Sequence, residues 1–90
     1  MDREKRYYVW GRKSCPFCLA ACELLYSKNK LYDFFDHEGD EKFIKRLMDF
    51  YDHYTVPVVV ESDQETGRTK FIGGYDDLET LMKEGQHDRV

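Results

Sequence analysis

The sequence contains few cysteines and few prolines, and it has no long apolar run. Its 90 residues include 3 cysteines and 2 prolines. Cys15, Cys18 and Cys22 are odd in number and too close together to form the disulfide framework of a small secreted domain. No apolar run approaches the roughly 18 residues of a membrane span, and the charged start is not followed by the apolar core of a secretory signal. We therefore expect a soluble chain in a reducing, cytoplasmic compartment, with no membrane partner.

The chain also lacks an excess of positive charge. Its formal net charge is −4, so the protein as a whole has no positive field that would attract phosphate groups. Nucleic acid is therefore not an expected partner. A chain of 90 residues is long enough for one hydrophobic core and too short for two. We predict a single domain over residues 1–90.

Short runs of aromatic and β-branched residues predict four strands. They cover residues 7–10, 31–35, 56–60 and 70–72. The polar segment SDQETGR separates the last two strands, which predicts an antiparallel hairpin whose turn projects into solvent.

Three further segments have the spacing of helices. The first begins at Pro16, and its predicted inward face consists of Phe17, Ala20, Ala21, Leu24 and Leu25. The second covers Glu41–Tyr51, with Asp40 as its N-cap. The third is capped by Asp76 and ends at Gly85. The resulting order, βαβαββα, predicts a small mixed sheet with helices on its faces.

Cys15 and Cys18 stand three residues apart at a predicted junction between a strand and a helix. On the first turn of a helix, two such thiols are close enough to form a small disulfide ring. Free backbone N–H groups and the positive end of the helix dipole favour the thiolate form of Cys15, and Arg12 and Lys13 act in the same direction. Cys18 lies one turn inside and is expected to stay protonated. This asymmetry predicts that Cys15 is the nucleophile and Cys18 the resolving thiol.

A C-x-x-C pair can also be half of a zinc site. The sequence has no second C-x-x-C pair and no H-x-x-x-H pair that would complete a tetrahedral site, and we expect no metal. Cys22 follows Cys18 by four residues on the same helix face. We interpret Cys22 as a small packing residue, with a disulfide to Cys18 under oxidation as the alternative.

Three motifs together carry a resemblance to a known family. They are Cys15-Pro16-Phe17-Cys18, Thr55-Val56-Pro57, and the segment GGYDDL at residues 73–78. With this order and spacing on a βαβαββα pattern, the sequence resembles the dithiol glutaredoxins of the thioredoxin-like superfamily. The resemblance implies an α/β fold, with a four-stranded mixed sheet flanked by three helices. It also implies a glutathione-dependent thiol-disulfide oxidoreductase that reduces protein disulfides and glutathione mixed disulfides.

The same resemblance implies the partners of the protein. Glutathione is the expected co-substrate. Disulfide-containing proteins are the expected substrates, with ribonucleotide reductase as a candidate client, and the chain is expected to be a monomer.

The resemblance further implies a glutathione site. The proline corresponding to Pro57 is cis in the family, and the backbone of Val56 is then free to pair with the cysteinyl part of glutathione. Asp76 and Asp77 hold the γ-glutamyl end, and a basic residue just before Cys15 holds the glycine carboxylate. The implied glutathione contacts are Arg12, Lys13, Phe17, Thr55, Val56, Pro57, Gly74, Asp76 and Asp77.

The residues before Thr55 depart from the family pattern. Relatives often carry Gln or Arg on the second helix, and a polar or basic residue just before the Thr-Val-Pro segment, that help to bind the glycine carboxylate. Residues 50–54 of this chain read FYDHY, where His53 is a partial substitute.

Two other functions are compatible with the cysteine pair. One is a thioredoxin-like electron donor that is recycled by a flavoenzyme reductase. The other is an iron-sulfur carrier, in which two chains share a glutathione-ligated cluster through Cys15. The segment containing Asp76 and Asp77 argues against the first, and Pro16 together with Cys18 argues by resemblance against the second.

Overall fold

The structure is a computed structural model, which describes the backbone of residues 5–87 and the side chains of residues 5–83. The elements follow the predicted order and are β1 (Lys5–Gly11), α1 (Pro16–Ser27), β2 (Leu31–Asp36), α2 (Glu41–Tyr51), β3 (Val58–Asp63), β4 (Thr69–Gly73) and α3 (Tyr75–His87). Within residues 5–87, no helix has both the length and the apolar character needed to cross a bilayer.

The strands form one mixed sheet in the order β2-β1-β3-β4. β1 runs parallel to β2, where Val9 lies opposite Phe34, and antiparallel to β3, where Val9 lies opposite Val59. α1 is the crossover that two neighbouring parallel strands require. β3 and β4 pair in an antiparallel manner, with a register shift between Val59 and Val60, which confirms the predicted hairpin.

α1 and α3 cover one face of this sheet. The core on that face consists of buried side chains from β1, β3, α1 and α3, namely Tyr7, Val9, Ala21, Leu25, Val59, Leu78 and Met82. Because side chains alternate along a strand, Tyr8 and Val60 point to the opposite face, together with their register partner Phe71. α2 lies on that opposite face, where the ring of Tyr51 stacks on Phe71 with the ring centroids 4.7 Å apart. The four-stranded sheet with three flanking helices is therefore confirmed.

The buried face of α1 differs from the predicted one. Cys18, Ala21 and Leu25 are fully buried, whereas the side chain of Phe17 is 60% exposed. The prediction placed Phe17 on the inward face, and that placement was wrong. Apolar spacing defines the period of a helix, but a small residue such as cysteine can occupy the inward position where the helix starts close to the sheet.

β3 begins and ends later than predicted. The prediction began the strand at Val56, but pairing starts at Val58. Pro57 has no N–H group to donate to a neighbouring strand, so the ladder begins only after it. At the other end the strand continues to Asp63, which lies opposite Lys5 of β1.

Three residues predicted at helix ends act differently from the prediction. Asp40 precedes α2, but its carboxylate makes no capping hydrogen bond and lies 3.6 Å from Nδ1 of His37. α3 begins at Tyr75, so Asp76 lies inside its first turn and is not the residue that precedes the helix. The backbone of α3 also continues through Gly85. One glycine inside a helix costs only about 1 kcal/mol relative to alanine, which does not by itself end the helix.

Candidate active site

Cys15 lies at the turn between β1 and α1 and caps the helix with its sulfur. Its backbone is extended, and Pro16 is the first helical residue, where a missing N–H group costs nothing. The N–H of Cys18 donates to Sγ of Cys15 at 3.3 Å and also to the carbonyl oxygen of Cys15 at 3.1 Å. The sulfur of Cys15 thus accepts a hydrogen bond from the first turn of α1.

The two thiols of the C-x-x-C motif differ in exposure. Cys15 is half-buried, whereas Cys18 is fully buried. Burial raises the pKa of Cys18 to about 12, and the hydrogen bond with Cys15 acts in the same direction. Cys18 therefore remains protonated at neutral pH, while Cys15 is the thiol within reach of a substrate. This difference is the one that a nucleophile and a resolving thiol require.

The loop before Cys15 is held by acidic side chains from the end of β2 and from the connection that follows it. The N–H of Lys13 donates to Oδ1 of Asp36 at 3.1 Å. The N–H and Oγ–H of Ser14 donate to the carboxylate of Glu38 at 3.1 and 2.9 Å. These bonds fix the backbone that leads into the nucleophilic cysteine.

Arg12 and Lys13, the two basic residues of this loop, are in different environments. The guanidinium of Arg12 donates two hydrogen bonds to the carboxylate of Glu41. Nε donates to Oε2 at 3.3 Å, and a terminal nitrogen donates to Oε1 at 2.5 Å. The hydrogen bond to Glu41 raises the pKa of Arg12, and the nearby sulfurs of Cys15 and Cys18 add smaller effects in the same direction. The side chain of Lys13 is exposed.

The Thr-Val-Pro segment lies in the loop before β3. The peptide bond between Val56 and Pro57 is cis, as the family resemblance implied. Val56 precedes the paired part of β3, which starts at Val58. Its backbone is therefore placed outside the sheet ladder. Thr55 is exposed, and its Oγ1 lies 3.2 Å from Nε2 of His53.

Gly73 and Gly74 lead into α3, and the two aspartates of the first turn have different surroundings. Oδ2 of Asp77 accepts a hydrogen bond from the N–H of Gly74 at 3.1 Å. The carboxyl group of Asp77 also fills the space where a side chain on Gly73 would lie, and Gly73 has φ of 126°, a conformation that favours glycine. The side chain of Asp76 is exposed. Both aspartates are exposed, and the carboxylate of Asp77 binds the backbone at the start of the helix.

Two contacts bring the motifs together. Phe17 lies between the two cysteines in the sequence, and Tyr75 is the first residue of α3. The centroids of their rings are 6.0 Å apart. A β carbon added to Gly74 would lie 3.5 Å from the ring of His53 and 3.7 Å from the carbonyl oxygen of Pro57. The start of α1, the loop around Pro57 and the start of α3 thus form one continuous surface. The guanidinium of Arg12 is directed to Glu41 at the start of α2.

The sequence interpretation missed four residues that shape this surface. They are Asp36, Glu38 and Glu41, which bind the loop before Cys15, and Tyr75, which contacts Phe17. The acidic residues were visible in the sequence as a charged segment, but nothing in that segment indicated that it would meet residues 12–14. An aromatic residue directly after the two glycines could have been noted as a wall of the site.

Cys22 lies outside this surface. It is half-buried and packs against the core of α1 and the sheet, and burial raises the pKa of its thiol. These surroundings agree with the interpretation of Cys22 as a packing residue.

In the part of the chain that the structure describes, no group of three or more His, Cys, Asp or Glu side chains is placed to hold a metal ion.

Known proteins have sequences similar to this chain. The glutaredoxin family model matches residues 6–65. Glutaredoxin 1 of Rickettsia prowazekii is 35% identical over 87 residues, covering 91% of this chain and 82% of the relative. Glutaredoxin 1 of Rickettsia conorii is 34% identical, covering 91% of this chain and 76% of the relative.

Solved structures give the same result for the fold. The dithiolic glutaredoxin 2-C-Grx1 of Trypanosoma brucei brucei superposes with a TM-score of 0.66 at 28% identity, covering 99% of this chain and 87% of that one. Wheat glutaredoxin superposes with a TM-score of 0.71 at 28% identity, covering 89% of this chain and 71% of that one.

Proposed function

The chain belongs to the glutaredoxin family, and we propose that it reduces disulfides with glutathione as its reductant, through Cys15 and Cys18. Family membership makes the protein a thiol-disulfide oxidoreductase. The observation that carries the finer proposal is the asymmetry of the two thiols. The sulfur of Cys15 accepts the N–H of Cys18 at 3.3 Å and is open to substrate, while the thiol of Cys18 is buried behind it and protonated.

The proposed reaction is a sequence of thiol-disulfide exchanges. The thiolate of Cys15 attacks one sulfur of a substrate disulfide, forms a mixed disulfide and releases the other sulfur as a thiolate, which takes a proton from solvent. When the substrate is glutathionylated, the released group is the protein thiol, and a second glutathione then attacks the mixed disulfide. That step yields glutathione disulfide and returns Cys15 as a thiolate. Each step breaks one disulfide and forms one, so no other electron donor is needed.

Cys18 provides a second route for resolution. Its thiol can attack the mixed disulfide on Cys15, which gives an intramolecular disulfide and releases the bound group. Because burial raises the pKa of Cys18 to about 12, this attack requires removal of its proton as the bond forms. We expect this route to matter most for protein disulfides, where the bound group must be released without a second glutathione.

The proposed glutathione site uses the surface shared by the three motifs. The backbone of Val56 pairs with the cysteinyl part of glutathione, as in addition of a short strand. The exposed carboxylate of Asp76 accepts from the ammonium of the γ-glutamyl end, and N–H groups at the start of α3 donate to its carboxylate. Phe17, Thr55, Pro57 and Gly74 line the groove between these ends. Asp77 supports the start of the helix through the N–H of Gly74.

The far end of glutathione carries the glycine carboxylate. Arg12 and Lys13 are the proposed partners of this group, and both lie in the loop that leads into Cys15. The contacts described for His53 lie elsewhere in the site. Its ring is next to Gly74, the carbonyl oxygen of Pro57 and Thr55, so we assign it to the support of the groove wall and not to the glycine carboxylate.

The proposal also covers the setting in which the protein acts. We predict that the protein acts as a monomer with a single domain in a reducing, cytoplasmic compartment. Its predicted substrates are glutathionylated and disulfide-bonded proteins. Ribonucleotide reductase stays a candidate client.

The test is the reduction of a glutathionylated peptide by glutathione, coupled to glutathione reductase. Cys15→Ser is expected to abolish turnover, whereas Cys18→Ser is expected to retain most of it, because glutathione itself can resolve the mixed disulfide. Cys22→Ser is the matched control, since it removes a thiol from the same helix without touching the site. Full activity of Cys15→Ser would overturn the proposed nucleophile.

A parallel assay separates the two enzyme hypotheses. The same protein is supplied with thioredoxin reductase in place of glutathione and its reductase. Faster turnover with thioredoxin reductase would favour the thioredoxin-like donor over the proposed function. Visible absorbance of the protein after anaerobic purification would favour the iron-sulfur carrier.

A further inference from the structure

Arg12 is already bound to a carboxylate within the protein. Nε and a terminal nitrogen of its guanidinium contact the two oxygens of Glu41, at 3.3 and 2.5 Å. Glu41 is the first residue of α2, and it lies 29 residues further along the chain. A guanidinium with both edge nitrogens on one carboxylate has the geometry with which arginine recognises any carboxylate.

This pair lies beside the reactive thiols. The carbonyl oxygen of Arg12 accepts the N–H of Cys15 at 3.1 Å, which places Arg12 next to the nucleophile. The loop that carries Arg12 is also held in place, because the backbone of Lys13 and Ser14 is bound by acidic side chains. Arg12 is thus presented near Cys15 on a fixed backbone, with its charge already paired.

The two partners differ in their access to solvent. The side chain of Glu41 is 64% exposed, whereas that of Arg12 is 30% exposed. Because Glu41 is the more exposed partner, its carboxylate can leave Arg12 and be hydrated in solvent. A carboxylate arriving from solvent could therefore replace Glu41 on Arg12 without any movement of the loop.

We propose that Glu41 is an internal competitor that sets the affinity of the protein for glutathione. Its carboxylate occupies on Arg12 the position that the glycine carboxylate of glutathione needs, and it must be displaced when glutathione binds. This inference rests on the proposed function, because it concerns the same glutathione site. It predicts that Glu41 discriminates between ligands that carry the glycine carboxylate and ligands that lack it.

The test compares two unreactive ligands on three proteins. S-methylglutathione carries the glycine carboxylate, and γ-glutamyl-S-methylcysteine lacks the glycine. Their dissociation constants are measured by NMR titration of the reduced wild-type protein, Glu41→Gln and Asp49→Asn. Asp49→Asn is the matched control, because it breaks an exposed ion pair with Lys45 on the same helix, where Nζ and Oδ2 are 3.4 Å apart.

The expected result is specific to one ligand and one variant. Glu41→Gln is expected to bind S-methylglutathione about threefold to fivefold more tightly than the wild type. A gain of this size corresponds to the free energy of one exposed ion pair. Its affinity for γ-glutamyl-S-methylcysteine is expected to match the wild type, and Asp49→Asn is expected to match the wild type for both ligands. In the double variant Arg12→Gln/Glu41→Gln, the gain for S-methylglutathione is expected to disappear.

The outcomes separate this inference from the proposed function. If the wild type binds S-methylglutathione and uses glutathione in turnover, but Glu41→Gln gives no gain, the inference is wrong and the proposed function stands. An equal gain for both ligands would also overturn it, because it would reflect a general effect of charge. If neither ligand binds the wild type and glutathione does not support turnover, the proposed function itself fails.

Discussion

The sulfur of Cys18 lies directly against the backbone of Gly11, where a side chain on residue 11 would begin. A β carbon at Gly11 would overlap this sulfur and come within 3.2 Å of the β carbon of Cys18. Both residues are buried, so neither can move into solvent to relieve the overlap. The last residue of β1 therefore has to be glycine for α1 to begin with a cysteine pair packed against the sheet.

Gly11→Ala is expected to destabilise the protein through this contact. Forcing a methyl group into a packed interior typically costs about 1–3 kcal/mol, and we expect that loss in the free energy of unfolding. The measurement is urea denaturation of the reduced protein. The control is the double variant Gly11→Ala/Cys18→Ala, in which the sulfur is absent and the added cost of Gly11→Ala should largely disappear. An equal cost in both backgrounds would contradict the assigned contact.

The buried thiol of Cys18 predicts a loss of stability at alkaline pH. Burial, with the Cys15 hydrogen bond, raises its pKa from 9.0 to about 12 in the folded protein. The folded state therefore holds this proton more tightly than the unfolded state. The resulting stabilisation is complete below pH 9.0 and is lost as the pH rises to about 12. We expect the free energy of unfolding to fall more steeply over this range in the reduced wild type than in Cys18→Ala. Parallel pH profiles for the two proteins would contradict the prediction.

Glu38 is expected to hold the loop before the nucleophile through Ser14. Its carboxylate accepts both the N–H and the Oγ–H of Ser14, at 3.1 and 2.9 Å. Glu38→Ala is expected to cost about 0.5–1.5 kcal/mol and to speed amide hydrogen exchange at Ser14. Glu38→Gln keeps an oxygen acceptor and should restore part of the protection. Glu65→Ala, in the distant hairpin, is the control, and an equal rise in exchange at Ser14 in that variant would disprove the specific role of Glu38.

Tyr7 and Glu61 form a hydrogen bond between neighbouring strands. The hydroxyl of Tyr7 donates to Oε2 of Glu61 at 2.7 Å, and Lys5 lies 3.3 Å from the other carboxylate oxygen. Burial raises the pKa of Tyr7, and the bond to Glu61 adds to this effect. Tyr7→Phe is therefore expected to lower the free energy of unfolding by about 1 kcal/mol, measured by thermal or urea denaturation. The side chain of Tyr26 is 75% exposed, so Tyr26→Phe is expected to change the free energy of unfolding little. Similar losses in both variants would contradict the prediction.

Most elements of the fold could be predicted because their signals are local. The aromatic and β-branched runs predicted the strands, and the spacing of apolar residues with Pro16 predicted α1. The errors occurred where a local signal met a tertiary requirement. Phe17 has the helical spacing of a core residue, but Cys18 takes the inward position because the sheet offers space beside Gly11. Val56 has a high strand propensity, but the strand starts only after Pro57.

The site was predicted in part, for the same reason. The cysteine pair, the Thr-Val-Pro segment and the residues around Gly74 are short motifs, so their positions at element ends could be inferred from the sequence. The choice of Asp76 as a helix cap was wrong because several polar residues compete at a helix start. Only the backbone geometry of Gly74 decides that the carboxylate of Asp77 reaches its N–H.

By itself, the amino-acid sequence determined the order of strands and helices, the placement of two thiols at a strand-to-helix junction, and membership of the glutaredoxin family. Each of these depends on residues that are neighbours in the chain. Only the tertiary structure decided that Cys18 packs on Gly11, that Glu38 binds Ser14, and that Glu41 pairs with Arg12. The last two contacts join segments that meet because the sheet brings the ends of β1 and β2 together, and the first depends on how closely α1 packs on β1. Their partners therefore cannot be read from spacing along the chain.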